Sequence, residues 1–221
     1  AGLVEVPRGT VRVSAPPGAA AAWLGPVVEA FLERFPEVNL VLDLSDRFVD
    51  LVGEGFDVAL RAGELADSGL TSRVLGSMHQ RCFASPGWLA AHGVPRHPSE
   101  LAHVPILVFG PDRSATWVFE GPERVSVDVR GRLAVRHFGL LLAAAERGTG
   151  LVRLPVSVAE PSVAAGRLVP VLEAWPGPTA RLHLLTAGTS LRTAAVQAFV
   201  SLVIERAAGG LERLIELSKE G

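Results

Sequence analysis

Asp46–Leu65, DRFVDLVGEGFDVALRAGEL, is the stretch whose reading decides the fold. Phe48, Leu51 and Val52 recur at helical spacing, and Gly53 and Gly55 end the short helix they predict. Phe56, Val58 and Leu60 then alternate with Asp57 and Ala59, the period of a strand entered through a very short turn. Arg61-Ala62-Gly63 falls where that strand must end. A short helix, a strand and a cation at the strand's carboxyl end is how an open α/β sheet offers a ligand site.

On the amino-terminal side, Thr10–Ala15 (TVRVSA) alternates as a strand and Pro16-Pro17-Gly18 closes it. From Ala20 to Phe35, Leu24, Val27, Val28, Phe31, Leu32 and Phe35 form one stripe of a helix that stops before Pro36. Pro26 predicts an irregular or late first turn. Val38–Leu44 is a strand, and Ser45-Asp46 caps the short helix after it. Strand, helix, strand, helix, strand predicts a parallel sheet with right-handed crossovers.

On the carboxyl-terminal side, Leu70–Leu75 and Gln80–Ala84 read as two extended pieces, and Ser85-Pro86 caps a short helix ended by Gly93. Ile106–Phe109, Trp117–Phe119 and Val125–Val135 read as strands. Phe138–Glu146 is an apolar helix closed by Gly148 and Gly150, Leu151–Leu154 a buried strand, and Pro155 the start of another helix. Gly166–Leu172 turns into an edge strand, and Arg181–Thr186 is the last strand. Ser190 caps a long helix with Leu191, Ala195, Ala198, Phe199, Leu202 and Val203 on its buried side; Gly209-Gly210 is expected to break it. The middle of the chain repeats the βαβ logic. The expected organisation is therefore one lobe from residues 1–80 plus 187–221 and a second, 81–186, inserted through two crossover strands.

The 221 residues are 48% hydrophobic and 20% charged, with a formal charge of −2, the balance of an ordinary globular chain without a nucleic-acid footprint. Cys82 is the only cysteine, so no disulfide framework exists and a reducing, cytoplasmic setting is expected. No run approaches the ~20 apolar residues of a membrane span. There is no G-x-S-x-G elbow, Cys82 reads as a buried inert thiol within a strand, and no histidine has metal-ligand spacing. Gly148-Thr149-Gly150 has Arg153 where a dinucleotide loop needs its third glycine, and it comes after a helix. Neither a catalytic site nor a cofactor is expected. Arg61, Arg136 and Arg153 each adjoin a predicted strand end, which favours a site that accepts an anion. His137 precedes an apolar helix and reads first as its cap, second as a ligand contact.

Several segments, in order, resemble the effector-binding domain of LysR-type transcriptional regulators. They are Gly9–Pro16, Phe31-Leu32-Glu33-Arg34-Phe35-Pro36, Ser45–Gly63, Ala84–Leu89, Gly148–Leu151 before Leu154-Pro155, and Ala165–Val169. The resemblance runs from about Gly9 to Arg206. It implies an α/β fold of two Rossmann-like lobes, the type II periplasmic-binding-protein fold, and a bacterial ligand sensor. The same architecture serves solute-binding proteins of transporters and some enzymes, the two alternatives.

The resemblance further implies a small effector, often a carboxylate or aromatic metabolite, in an interlobe cleft. Because helix N-termini offer free N–H groups to an anion and nearby arginines add charge, the expected lining is Pro16, Pro17, Gly18, Ala19, Ser45, Arg61, Ala62, Gly63, Arg136, His137, Phe138, Arg153, Leu154 and Pro155. Arg61→Ala is expected to weaken a carboxylate effector. In this chain Pro17-Gly18-Ala19 lacks the hydroxyl common in the family, Phe138-Gly139 is apolar where an acid or amide is common, and Thr186-Ala187-Gly188 lacks a Tyr-Pro-like pair. Those departures leave room for a more apolar effector. Promoter DNA would be met only through a winged helix-turn-helix ahead of the first strand. A homodimer or higher homo-oligomer is implied, with Trp23, Val27, Phe31, Ala194, Ala195, Ala198, Phe199 and Leu202 between its helices.

Overall fold

Alternation along Gly9–Ala15 (β1) turns Val11, Val13 and Ala15 to one face and Ser14 to the other. The computed structural model describes residues 6–17, 24–45, 47, 49–63, 65, 69–188 and 193–217, with side chains to residue 207. The chain divides into two compact units. Unit 1 is Ala1–Ser77 with Ala180–Glu220, and unit 2 is essentially Met78–Thr179.

In unit 1, β1 pairs in parallel with Val38–Leu44 (β2) along its whole length, and in parallel with Val58–Ala62 (β3) on its other edge. Thr179–Thr186 (β10) lies antiparallel to β3, giving the order β2-β1-β3-β10. Helix α1, Gly25–Arg34, begins after the predicted start. Pro26 sits in its first turn, where a missing N–H breaks no helical bond. Val27 and Phe31 bury its inner face, while Leu32, expected in the same stripe, is 41% exposed.

The carboxyl-terminal helix, Ala194–Leu217, is capped by Thr193, whose Oγ1 accepts from Val196 N at 3.3 Å; Ser190 and Leu191 lie outside the described residues. It runs through Gly209-Gly210 without the expected break. Two glycines weaken a helix by about 1 kcal/mol each, and the Ala, Leu, Glu and Arg around them are strong helix formers. This helix and α1 cover one face of the sheet, where Phe31 meets Phe199 edge-on at 5.1 Å.

On the opposite face of unit 1 the described residues form a turn where a short helix is expected. Leu51–Gly55 is a hydrogen-bonded turn: Phe56 N donates to Leu51 O at 2.8 Å, and Asp50 Oδ1 accepts from Gly53 N at 3.0 Å. An aspartate that bonds nearby backbone competes with helix formation, and Arg47 clamps the turn through Glu54 at 2.8 Å. Leu51 is buried while Val52 is 68% exposed, so one anchor holds the turn; Asp46 and Phe48 lie outside the described residues. The alternation around β3 serves two cores. Val58 and Leu60 join the helical side, and Phe56 and Ala59 pack with Leu51 and Leu185 on the other.

Thr71–Ala84 (β4) is one continuous 14-residue strand where two pieces are expected, and its residues from Met78 onward belong to unit 2. The chain enters unit 2 on β4 and leaves it on β10. After β4 come helix α2 (Pro86–His92), a 3₁₀ turn at Pro98–His103, and the strands β5 (Ile106–Phe109), β6 (Ser114–Phe119) and β7 (Val125–Val135). Helix α3 is Phe138–Glu146, followed by β8 (Leu151–Pro155), helix α4 (Val156–Ala164) and β9 (Val169–Val171). The carboxyl-terminal helix of unit 1 is thus α5. The strand order is β4-β8-β5-β7-β6, with β9 on the other edge of β4. β5 lies parallel to both β7 and β8, while β4 and β6 run antiparallel to their neighbours. Helices α3 and α4 cover one face through Leu141, Ala145 and Ala159, and α2 with β6 encloses a second core around Trp88, Trp117 and Phe119.

Candidate functional site

Parallel pairing brings three predicted segments together in unit 1, because β1, β2 and β3 end side by side. Pro16 and Pro17 come after β1, Ser45 after β2, and Arg61-Ala62-Gly63 ends β3. Ser45 N donates to Ala15 O at 2.9 Å, and its Oγ accepts from Arg47 N at 3.3 Å. Gly63 turns the chain at φ 98°, a conformation that favours glycine. Gly18 and Ala19 lie outside the described residues.

Arg61 is 3% exposed. It donates to Leu60 O at 2.6 Å and to Ser14 Oγ at 2.8 Å, so its guanidinium ties the end of β3 to β1. Ser14, fully buried, was missed from the sequence. Its signal was there: a small hydroxyl beside the strand's end, on the face of β1 opposite Val11, Val13 and Ala15.

Unit 2 gathers a second group. His137 caps α3, its Nδ1 accepting from Leu140 N at 3.0 Å, which places the ring proton of the neutral form on Nε2. The ring lies so close over Gly139 that a Cβ there would sit 3.0 Å from His137 Cε1. Phe138 stacks on Phe109 with centroids 4.1 Å apart, and Arg136 is exposed. Leu154 and Pro155 are buried.

Arg153 projects from β8 to the side opposite α3 and α4. Its guanidinium lies 4.7 Å from the Trp117 ring centroid, and Nη1 reaches Val118 O at only 3.4 Å. Burial lowers its pKa, because no carboxylate among the described residues ion-pairs with it to offset desolvation. Gly177 leaves room for its stem: a Cβ there would fall 3.1 Å from Arg153 Cδ and 3.0 Å from Gln80 O. A half-buried cation held by aromatic faces and one long hydrogen bond retains most of its donor capacity for an anion.

Cys82 faces Arg153 across the β4–β8 ladder, and burial pushes its thiol up to about 12, out of reach of thiolate chemistry near neutrality. No group of His, Cys, Asp and Glu among the described residues is placed to hold a metal.

Five of the residues expected at a self-association surface are used inside unit 1. Val27, Phe31, Ala195, Phe199 and Leu202 belong to its core, because α1 and α5 each cover the sheet and one another. Ala198 is half-buried against that core, Ala194 is half-buried, and Trp23 lies outside the described residues.

A sequence model of the LysR substrate binding domain matches residues 5–208. The chain belongs to the LysR family. An HTH-type transcriptional regulator of Xanthomonas campestris is 32% identical to this LysR domain over 210 residues, covering 92% of the chain and 61% of that protein. PtxR of Pseudomonas aeruginosa, another HTH-type transcriptional regulator, is 32% identical over 203 residues, covering 90% and 64%. The chain therefore spans less than two thirds of the length of these relatives. The structure of CrgA, a LysR-type transcriptional regulator from Neisseria meningitidis, is similar with a TM-score of 0.84 at 28% identity, covering 93% of this chain and 70% of that one. The CrgA regulatory domain gives a TM-score of 0.83 at 28% identity, covering 91% and 100%. Such regulatory domains have the type II periplasmic-binding-protein fold, and so does this chain.

Proposed function

We propose that the chain is the effector-sensing domain of a LysR-type transcriptional regulator, working in the cytoplasm and biasing a DNA-bound oligomer when a small molecule binds. The observation that carries this reading is the family match over residues 5–208. The Xanthomonas and Pseudomonas relatives are named as transcriptional regulators, and no described helix is long and apolar enough to cross a membrane. Promoter contact belongs in this reading to a helix-turn-helix outside the 221 residues. An effector acts here only through its differential affinity for two conformations.

The proposed effector contacts are the strand ends at Pro16–Ala19, Ser45 and Arg61–Gly63 of unit 1, and Arg136–Phe138 and Arg153–Pro155 of unit 2. Family membership, not the arrangement of the units, supports drawing contacts from both. The side chains favour a carboxylate with an aromatic or aliphatic body. Arg153 supplies the charge, Phe138, Trp117 and the prolines supply apolar surface, and Arg61 holds β1 and β3 in place. Calorimetry of the 221-residue chain against a panel of small aliphatic and aromatic carboxylates tests this. At least one is expected to bind, and Arg153→Gln to weaken it by roughly 1.5–3 kcal/mol, the range for a hydrogen bond to a charged group. A panel without a binder, or a binder indifferent to Arg153→Gln, would remove Arg153 from the site.

A further inference from the structure

We propose that unit 2 carries a second ligand site, a surface groove that takes a small organic anion with an apolar body. The groove has a volume of about 460 Å³, within the range of small-molecule sites, and is lined by Ser85, Pro86, Trp88, His92, Arg147 and Arg167 among others. It lies at the carboxyl end of α3. His137 caps the amino end, so the nine-residue helix, roughly 13 Å long, separates the groove from the effector contacts proposed at that end.

The charge in the groove is positive by one. Arg167 Nε donates to Glu146 Oε1 at 2.8 Å, and Ser162 Oγ donates to the same oxygen at 2.5 Å. These contacts, Arg167 first, hold the Glu146 carboxyl below its ordinary range, so this pair stays ionised and neutral overall. Arg147 is the surplus. One of its N–H groups goes to Ala143 O at 2.9 Å, and it makes no ion pair with a carboxylate among the described residues. The carbonyl end of α3 offsets only part of that charge.

The rest of the lining suits the body of such a ligand. His92 stacks on Trp88 at 4.6 Å with planes 15° apart, and Pro86 and Ala91 extend the apolar side. Ser85 Oγ accepts from Trp88 N at 3.2 Å, which leaves its own proton to donate. Trp88 also holds the one buried side-chain nitrogen among the described residues without a hydrogen-bond partner, so its indole resonance is tied to no acceptor.

The test is a ¹H–¹⁵N titration of the full 221-residue chain with benzoate, phenyl phosphate and inorganic phosphate, following the Trp88 indole and the Gly148 amide. Saturable shifts are expected with either aromatic anion, and whichever binds more tightly fixes carboxylate or phosphate monoester as the head group. Arg147 is exposed and its replacement leaves the core intact. Arg147→Gln should weaken binding about tenfold or more, as loss of a charge-assisted hydrogen bond does, while Arg153→Gln leaves these shifts in place. No saturation, or saturation unchanged by Arg147→Gln, overturns the site. Inorganic phosphate binding as tightly as phenyl phosphate overturns the apolar half of the proposal.

Discussion

Arg61 and Arg153 occupy similar positions in the sequence, each near the end of an apolar strand, and the fold treats them differently. Arg61 sits among strands that already offer oxygen acceptors, and two of its contacts are to Ser14 Oγ and Leu60 O. Removing it strands a fully buried hydroxyl. Arg61→Ala should therefore lower the unfolding free energy by about 2 kcal/mol, the usual cost of an unsatisfied buried polar group, as read by urea denaturation. Unchanged stability would show that Ser14 finds another partner. Arg153 instead lies against Trp117 and Phe119, where rings offer only a quadrupole. Nothing in the sequence separates the two arginines. Their difference arises from which strands flank β3 and β8, and pairing between distant segments is invisible to local periodicity.

At the scale of elements, the readings that succeeded rest on strong local chemistry. Phe138–Glu146 is bounded by a residue that can cap and by glycines, and the helix has those limits. Val125–Val135 alternates cleanly because only one face of β7 is buried along most of its length. The readings that failed lie where local signals conflict with the surroundings. The turn at Leu51–Gly55 has helical spacing, but Asp50 and two glycines bend it within one turn. Gly76-Ser77-Met78-His79 does not alternate, so local pattern predicts two pieces where β4 is one continuous strand. The position of the predicted segments at strand ends was legible; the buried partners that orient them, such as Ser14 beside Arg61, were not.

Helix α3 depends on its amino-terminal cap. His137→Ala removes the acceptor of Leu140 N and should destabilise the protein by about 1 kcal/mol, whereas Asn, a natural cap, should restore most of the loss. Thermal unfolding of the three forms decides it, and equal midpoints would mean that water caps α3 equally well.

For the molecule as a whole, self-association is the proposal most altered by the structure. With Val27, Phe31 and Phe199 used in the core, the exposed apolar residues left on unit 1 include Leu32 on α1 and, on the same face of β2 as Leu40, Leu42 and Leu44. β2 lies at the end of the strand order, so its outer edge has no strand partner among the described residues. A twofold contact there would present the same apolar patch from each subunit. Sedimentation at micromolar concentration should give twice the 23.3 kDa chain mass, and Leu42→Lys should return it to monomer. A monomer at every concentration sinks the proposal for this chain.

The interrupted chain path of unit 1 bears on the order in which the parts can be finished during synthesis. Residues 78–179 leave the ribosome as one run, so unit 2 has all its strands and helices before β10 is complete. β1, β2 and β3 emerge earlier, yet they lack their antiparallel neighbour and the cover of α5 until residues beyond 180 appear. The half that starts first is completed last. In the interval its apolar sheet face, Val11, Val13, Val58 and Leu60, has only α1 to shield it, and that is where a chaperone or a misplaced neighbour would find the nascent protein.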